Sequence, residues 1–243
     1  MKSASYVLFR FENKGEIVAY LREPISIPKE PLEAKANVWK QEVYFAVNEL
    51  RISSVGLTTS VKKGDVAFWP PENSLCLFYG FNQPYGPVKL LGRILGPPED
   101  LAWVEDGELV HIVFYRDYGK LGGIAKNLRE EGISSAARSW EDDQSIVVEH
   151  EGVGLEIYVE DWGYVIESET LFNMDRSAMS VLYFMKLEEL AQQYHVRADI
   201  DEEGRAILSA YASNDEELVR AVRALSGCYN RFIFEVLKKD IYL

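Results

Sequence analysis

The residues of this sequence that are best suited to chemistry are aromatic side chains in its first half. Trp39, Tyr44, Trp69, Pro70 and Tyr79 lie in or beside runs of strand-forming residues. Rigid aromatic faces offer a peptide or a small ligand a large contact area, so the chemistry that they indicate is non-covalent binding. We therefore predict a ligand- or peptide-binding groove at these five residues.

Alternative interpretations exist for the aromatic residues of these runs. Side chains alternate between the two faces of a strand, and we expect Phe45, Phe68 and Phe78 to be core residues first of all. The segment 69–71, Trp-Pro-Pro, holds a tryptophan stiffly at the end of a strand, where loops often contact ligands. A groove wall and a structural corner are equally compatible with that segment.

Patterns for metal, nucleotide or covalent chemistry are not found in the sequence. His111, His150 and His195 have no Cys, Asp, Glu or second His at a standard metal spacing. No Gly-Lys-Ser/Thr phosphate loop, no Gly-x-Gly-x-x-Gly fingerprint and no Gly-x-Ser-x-Gly elbow occurs. The acidic runs at 141–143 and 199–203 are interpreted as turns in preference to calcium sites. We expect no metal, no cofactor and no catalytic residue.

Charge is distributed unevenly along the chain. Residues 1–117 carry 13 basic and 15 acidic residues, whereas residues 118–243 carry 13 and 24, out of a net charge of −13 for the whole chain. A negative field repels phosphate backbones and anionic lipid, so we expect neither nucleic acid nor a membrane as partner. Basic protein segments are the partners that this charge favours, and a merely solvated acidic surface is the alternative.

Two further features concern the cellular compartment. No apolar stretch approaches the roughly 20 residues needed to span a bilayer, and residues 1–5 lead into a strand-like run without a signal-peptide core. Cys76 and Cys228 lie far apart inside apolar patterns, which is typical of buried free thiols in a reducing compartment. We predict a cytoplasmic protein.

The length of 243 residues suits two domains, which we place at 1–118 and 119–243. Short β-rich runs recur through the first domain at a spacing of about 8–12 residues. Prolines and helix formers predict short helices at 28–36 and 97–104. This order favours a small closed or nearly closed β-barrel, because closure removes exposed strand edges.

Four segments of this first domain carry a family resemblance. They are NVWKQEVYF at 37–45, GDVAFWPP at 64–71, LCLFYG at 75–80 and PVKLLGRI at 87–94. In this order and spacing they resemble the minimal cyclophilin-like family of prokaryotes, over roughly residues 5–117. The resemblance implies a cyclophilin-type β-barrel with two short helices, in a family whose biochemical role is largely unassigned.

The resemblance does not include the residues that make a cyclophilin a prolyl isomerase. True cyclophilins use an arginine on the barrel wall in a Phe-His-Arg strand motif, with a Gln-Gly-Gly downstream, and neither motif occurs here. Arg51, Arg93 and Arg116 lie in no matching motif, and we interpret each of them as a surface charge. A divergent isomerase is an alternative function that depends on fold resemblance alone.

The second domain is predicted as α-β-β-β-α-β-β-α with an antiparallel sheet, following a linker at 121–123. Asn214 and Glu217 form a capping-box pattern before the last helix, whose apolar seam we interpret as core. The predicted helices are 124–131, 175–195 and a last one from 214, and the predicted strands are 144–149, 154–160, 164–169, 196–200 and 206–212.

The helix at 175–195 is apolar over more than one stripe, which is typical of deep burial or of a partner interface. We predict Val181, Tyr183 and Phe184 as that interface. The order of elements is similar to the type III secretion chaperone-like fold and to the YbjN family, over about residues 122–238. This resemblance implies protein–protein contact and often dimerisation.

Together these features predict an α+β protein in which a cyclophilin-like barrel precedes a chaperone-like domain. The predicted function is non-catalytic binding of a peptide or protein, with a homodimer as a further expectation. A divergent peptidyl-prolyl isomerase and a small-ligand binder at the barrel mouth are the alternatives.

Overall fold

The computed structural model describes residues 5–23, 25, 28, 30–141 and 143–237. In the first half the chain forms short 3-10 helices at Pro70–Glu72 and Pro98–Trp103. The strands of this half are β1 Ser5–Phe11, β2 Gly15–Leu21, β3 Leu32–Lys35, β4 Asn37–Trp39, β5 Glu42–Ala46, β6 Asp65–Trp69, β7 Ser74–Phe78, β8 Lys89–Leu95 and β9 Leu109–Phe114.

These strands form a curled antiparallel sheet. Neighbouring strands pair in the order β9-β1-β2-β8-β6-β7-β5-β4. The segment β3 pairs with β9 at one end of this order, and β4, which follows β3 directly, pairs with β5 at the other end. Between them, the backbone of Ala36 donates to Glu108 and accepts from Gly107. The line of pairings therefore curls back on itself, which is compatible with the predicted barrel.

The helix predicted at 28–36 is wrong, because β3 occupies its C-terminal half. Leu32 and Ala36 are buried while Glu33 and Lys35 are exposed, which is the alternation of a half-covered strand. Hydrogen bonding to β9 and burial against the curled sheet outweigh the helix propensity of this segment. Residue 29 of the predicted helix lies outside the described residues. The second predicted helix is found as the 3-10 helix Pro98–Trp103.

The second half forms an antiparallel sheet in the order β10-β11-β12-β13-β16, with β14 and β15 also paired to β16. Helix α3 packs on this sheet, α1 packs on its β10 end, and α2 packs on α3 and β15. The elements are α1 Gly119–Glu130, β10 Ser134–Trp140, β11 Asp143–His150, β12 Val153–Glu160, β13 Gly163–Ser168, β14 Phe172–Asn173, α2 Ala178–Tyr194, β15 Arg197–Ile200, β16 Arg205–Ala212 and α3 Asp215–Phe232, which continues as a π-helical turn over Ile233–Leu237.

Residues 121–123 and the strands β10 and β14 differ from the sequence prediction for this half. Residues 121–123, predicted as a linker, lie inside α1. The strand β10 is not among the predicted elements, because its sequence Ser-Ser-Ala-Ala-Arg-Ser-Trp is small and polar and has low strand propensity. It becomes a strand because it pairs with β11 along its whole length.

The two halves share one continuous sheet. Trp140 of β10 pairs with Gly15 of β2, where the backbone of Ser139 comes so close that a Cβ on Gly15 would lie 2.5 Å from its carbonyl oxygen. One hydrophobic cluster fills the curled sheet and a second lies under the helices. A third, small cluster joins Leu8 and Val18 to Ala136. No helix in the described part of the chain is long and apolar enough to cross a membrane.

Several core assignments from the sequence are confirmed. Cys76 and Cys228 are free and buried. Asn214 caps α3 by accepting from the backbone N–H of Glu217 at 3.0 Å, while the Glu217 carboxylate accepts from the backbone of Ser213. The apolar seam of α3 is buried from Leu218 onwards and belongs to the second cluster.

Candidate ligand-binding site

The candidate site lies on the outer face of the curled sheet, where β5, β7 and β6 run side by side. Alternation along these strands sends one set of side chains into the main core: Val43, Phe45, Val66, Phe68, Leu75 and Leu77. The intervening side chains point to the other face and form a separate small cluster there: Tyr44, Ala67, Trp69, Cys76 and Phe78. A second apolar surface therefore exists outside the main core.

A cavity of about 180 Å³ is present on this outer face. Its walls come from β4, β5, the end of β6 and the loop before β8. The side chains that define its chemistry are Trp39, Glu42, Tyr44, Trp69, Glu72 and Tyr85. Drug-sized ligands occupy about 300–1,000 Å³, so this cavity suits one side chain or one small head group.

The aromatic walls stand at steep angles to one another. The Tyr85 ring lies 6.3 Å from the Trp39 ring at an interplanar angle of 83°, and 6.2 Å from the Trp69 ring at 80°. Tyr85 is 83% exposed, so it covers the opening from the solvent side. Edge-to-face contacts of this kind hold the three rings in place.

The indole nitrogen of Trp69 is a hydrogen-bond donor without an acceptor. Its Nε1 atom is buried and has no partner among the described residues. A Cβ placed on Gly86 would lie 3.4 Å from this nitrogen, so Gly86 leaves open space beside it. Buried donors are almost always paired, and an unpaired one at a cavity points to a group that the ligand supplies.

A buried carboxylate, Glu42, forms another wall of the cavity. It is 5% exposed, and in the described part of the chain no basic side chain lies within ion-pair distance of it. Burial raises the pKa of Glu42, and a hydrogen bond from the Cys76 thiol acts in the opposite direction. Burial and then the charges of Glu72 and Glu42 raise the pKa of the Tyr44 hydroxyl, so both carboxylates act on the cavity.

The structure brings together three of the five residues predicted to bind a ligand, namely Trp39, Tyr44 and Trp69. Pro70 instead opens the 3-10 helix at the end of β6. The Tyr79 hydroxyl donates to the carbonyl of Lys40 at 2.9 Å, so this side chain fixes the β4–β5 turn.

The carboxylates and Tyr85 were missed by the sequence prediction. Glu42 stands two residues before Tyr44 in β5 and therefore shares its face, a signal that alternation alone provides. Tyr85 lies in the loop between β7 and β8, and no periodic pattern places such a residue over a cavity.

Arginine is not part of this cavity. Arg51 and Arg116 are exposed as predicted. The prediction for Arg93 is wrong, because it is buried and its guanidinium donates to Asp65 at 2.9 Å and to the backbone of Gly152 at 2.9 Å. Its partners lie in β6 and in the second half of the chain, and the sequence of β8 does not reveal them.

The residues predicted as a partner interface lie on α2. Val181 is 40% exposed, whereas Tyr183 and Phe184 are half-buried against the cluster under the helices. The Tyr183 ring contacts the Phe172 ring at 5.9 Å. Of the three, Val181 alone faces solvent directly.

A second group of titratable side chains is buried where the two halves meet. Lys63 Nζ lies 2.9 Å from Glu99 Oε2 and 3.4 Å from Glu169 Oε1. The Tyr229 hydroxyl donates to Glu169 at 2.8 Å. Burial acts to raise the pKa of Glu99, but the Lys63 ammonium and hydrogen bonds from Thr170 together outweigh it, so the pKa lies below its ordinary value. These groups face one another across the joint between the halves.

Arg138 is the centre of a neighbouring ion cluster in this joint. Its Nη2 atom lies 2.7 Å from Asp100 and 2.8 Å from Glu156, and Ser145 donates to the same Glu156 oxygen. Asp100 comes from the first half, while Arg138 and Glu156 come from β10 and β12. The Arg138 guanidinium faces two carboxylates, and burial raises the pKa of Asp100 to about 7. Because these paired groups come from both halves, the cluster joins the halves.

Comparison with known proteins gives a family match for the first half of the chain. Residues 6–113 match the family model described as cyclophilin-like. The chain is similar to a hypothetical protein from Archaeoglobus fulgidus with a solution structure, at 29% identity over 45% of this chain and 93% of that chain and with a TM-score of 0.39. A search of curated proteins gives no match. The family match ends at residue 113, so the resemblance predicted for 122–238 stays a prediction.

Proposed function

We propose that this chain is a non-catalytic binding protein that holds part of a peptide in the cavity between Trp39 and Trp69. The observation that carries the proposal is the buried indole N–H of Trp69, which has no acceptor among the residues that the structure describes. A peptide carbonyl supplies that acceptor, and one peptide side chain fills the remaining volume of about 180 Å³.

Binding is favoured over catalysis because of the charge at the site. A cyclophilin-type isomerase presents an arginine to the substrate amide, whereas this cavity presents the carboxylates of Glu42 and Glu72. Carboxylates do not donate a hydrogen bond to the amide when they are ionised. The residues at the cavity thus support recognition of a ligand and not bond rotation.

The test follows the indole N–H signals of uniformly ¹⁵N-labelled protein by NMR. The ligands are capped pentapeptides Ala-Ala-Xaa-Pro-Ala in which Xaa is neutral, basic or acidic. We expect at least one of them to move the Trp69 signal downfield, because the indole N–H gains an acceptor. Trp103 and Trp162, which are 54% and 60% exposed and lie outside the cavity, serve as internal controls. Trp69→Phe should weaken binding of that peptide about fivefold, the effect of one hydrogen bond.

Three results would count against this function or against its selectivity. If none of the peptides shifts the Trp69 signal, the cavity is not a peptide site. If the protein accelerates cis–trans exchange of the Xaa-Pro bond in the same samples, the divergent isomerase is the better assignment. A peptide that also shifts Trp103 and Trp162 binds without selectivity for the cavity.

We also propose that α2 mediates contact between two copies of the chain. Met179, Leu182 and Met185 follow one another along one side of its first turns and are 55%, 53% and 54% exposed. Large apolar side chains grouped on an otherwise acidic surface are typical of a protein contact.

The mass of the protein in solution tests this second proposal. We expect light scattering after size exclusion to give the mass of two chains, and Met179→Glu with Leu182→Glu to give the mass of one, because two charges would enter the contact. Glu188→Gln with Glu189→Gln, farther along α2, is the control and should leave the mass unchanged. A single-chain mass for the unaltered protein at high concentration would remove the proposal.

A further inference from the structure

We propose that the cavity between Trp39 and Trp69 selects an alkylammonium group, such as the side chain of a lysine in a bound peptide. The inference depends on the proposed function and adds the chemical class of the group that enters. It follows from the charge of the walls, the orientation of the rings and the unpaired donor.

Among the described residues, the walls of the cavity contain negative charge and no positive charge. Glu42 and Glu72 line it, and neither forms a salt bridge with a described residue. A carboxylate as buried as Glu42 is costly to ionise unless a cation lies beside it. An incoming ammonium removes that cost, whereas an anion would increase it and a neutral group would leave it unchanged.

The aromatic walls favour the same sign of charge. The face of an indole attracts a cation more strongly than any other side-chain ring, and the attraction is largest when water is excluded. Trp39 and Trp69 both contact the cavity, and Tyr44 and Tyr85 add two further rings. The protein itself places an ammonium on one of these rings, because Lys40 Nζ lies 4.2 Å from the centre of the Trp39 ring.

Lys40 also provides a way to measure the sign of the ligand's charge. It is exposed and does not line the cavity, but its charge lies beside the Trp39 wall. Removing this charge takes away a repulsion from a cationic ligand and an attraction for an anionic one. The two ligand classes therefore respond to Lys40→Met in opposite directions.

The unpaired donor indicates what lies next to the ammonium. Trp69 Nε1 needs an acceptor, and a simple ammonium ion has none to offer. A lysine within a peptide brings a backbone carbonyl together with its charge. The net charge of −13 adds a general attraction for basic segments, which strengthens encounter but does not by itself select this cavity.

The experiment compares three probes on the 243-residue chain, with the Trp39 and Trp69 indole signals as the readout. The probes are choline, its uncharged analogue 3,3-dimethylbutan-1-ol, and N-acetyl-lysine methylamide, which is acetylated at the α-nitrogen and keeps its side-chain ammonium. We expect choline to bind at least about tenfold more tightly than the alcohol of equal shape, since cation–π attraction and Glu42 act on charge alone. N-acetyl-lysine methylamide should bind more tightly than choline, because its carbonyl accepts from Trp69.

Variants separate the charge effect from loss of structure. Glu42→Gln preserves the shape of the side chain. This variant should weaken the binding of choline about fivefold and leave the binding of the alcohol unchanged. Lys40→Met should strengthen the binding of choline about twofold or more. Glu49 is an exposed carboxylate outside the cavity, so Glu49→Gln is the matched control and should change the binding affinity of neither probe.

The outcomes distinguish this inference from the function on which it depends. Equal or tighter binding of the alcohol overturns the inference, as does a Glu42→Gln variant that binds choline as well as the original protein. If neither choline nor N-acetyl-lysine methylamide binds while a neutral pentapeptide shifts the Trp69 signal, the inference fails and the peptide-binding function stands. If choline binds and the lysine derivative does not, the source of the ammonium is a small molecule rather than a peptide.

Discussion

Replacing Arg138 by methionine should lower the free energy of unfolding by about 3–5 kcal/mol. Arg138 is 1% exposed and lies 2.7 Å from Asp100 and 2.8 Å from Glu156. Methionine fills the space of the arginine stem but leaves two buried carboxylates without a cation. Urea unfolding followed by circular dichroism measures the loss.

Two comparison variants show whether charge is the cause. Arg220→Met removes an exposed arginine that pairs with Glu216 one helical turn away, and it should cost less than about 0.5 kcal/mol. Adding Asp100→Asn and Glu156→Gln to Arg138→Met should recover part of the loss, because neutral amides can remain buried with hydrogen bonds. Equal stabilities for Arg138→Met and Arg220→Met would show that the buried cluster contributes nothing.

The second large effect is expected for Gly154→Ala, which should destabilise the protein by about 3 kcal/mol. Gly154 lies in β12 where the end of β8 meets the second half of the chain. A Cβ at this position would lie 2.1 Å from the carbonyl oxygen of Gly96 and 3.0 Å from the carboxylate of Glu169. Gly154 also donates to Glu169 at 3.0 Å. The added methyl group therefore forces the two halves apart at their closest approach.

Gly123→Ala is the matched control for this substitution. Gly123 is exposed in α1 and has open space where its Cβ would be. Alanine at a helix interior position is favoured over glycine by about 1 kcal/mol, so this variant should be more stable than the original protein. Thermal unfolding of both variants gives opposite shifts of Tm if the prediction holds. A Gly154→Ala protein with unchanged Tm would contradict the close packing of the halves.

Contacts between distant segments also explain which elements of the fold could be predicted from the sequence and which could not. Strands with apolar alternation, such as β12, and helices with a cap and an apolar seam, such as α3, follow from local residue order. The strands β3 and β10 do not, because their partners are distant in sequence: β3 pairs with β9, and β10 with β11 and β2. Their strand state is imposed by pairing and burial rather than by their own residues.

The candidate site shows the same division. The types of Trp39, Tyr44 and Trp69 led to the prediction of a binding surface, although aromatic residues in strands suit a core equally well. That these three converge on one cavity depends on β4, β5 and β6 lying within the same curled sheet. The sequence separates them by up to 30 positions, and no local pattern relates their faces.

The sequence by itself determined the chemistry that is available: aromatic faces, an acidic surface, free buried thiols and a first half that resembles cyclophilins. Only the tertiary structure decided where that chemistry acts. Curling of the sheet placed Glu42 beside the aromatic walls without a cation. Docking of the halves enclosed Arg93, which the sequence analysis had interpreted as a surface charge, and also Arg138. Burial and charge pairing depend on contacts between distant segments, and such contacts exist only once the chain has folded.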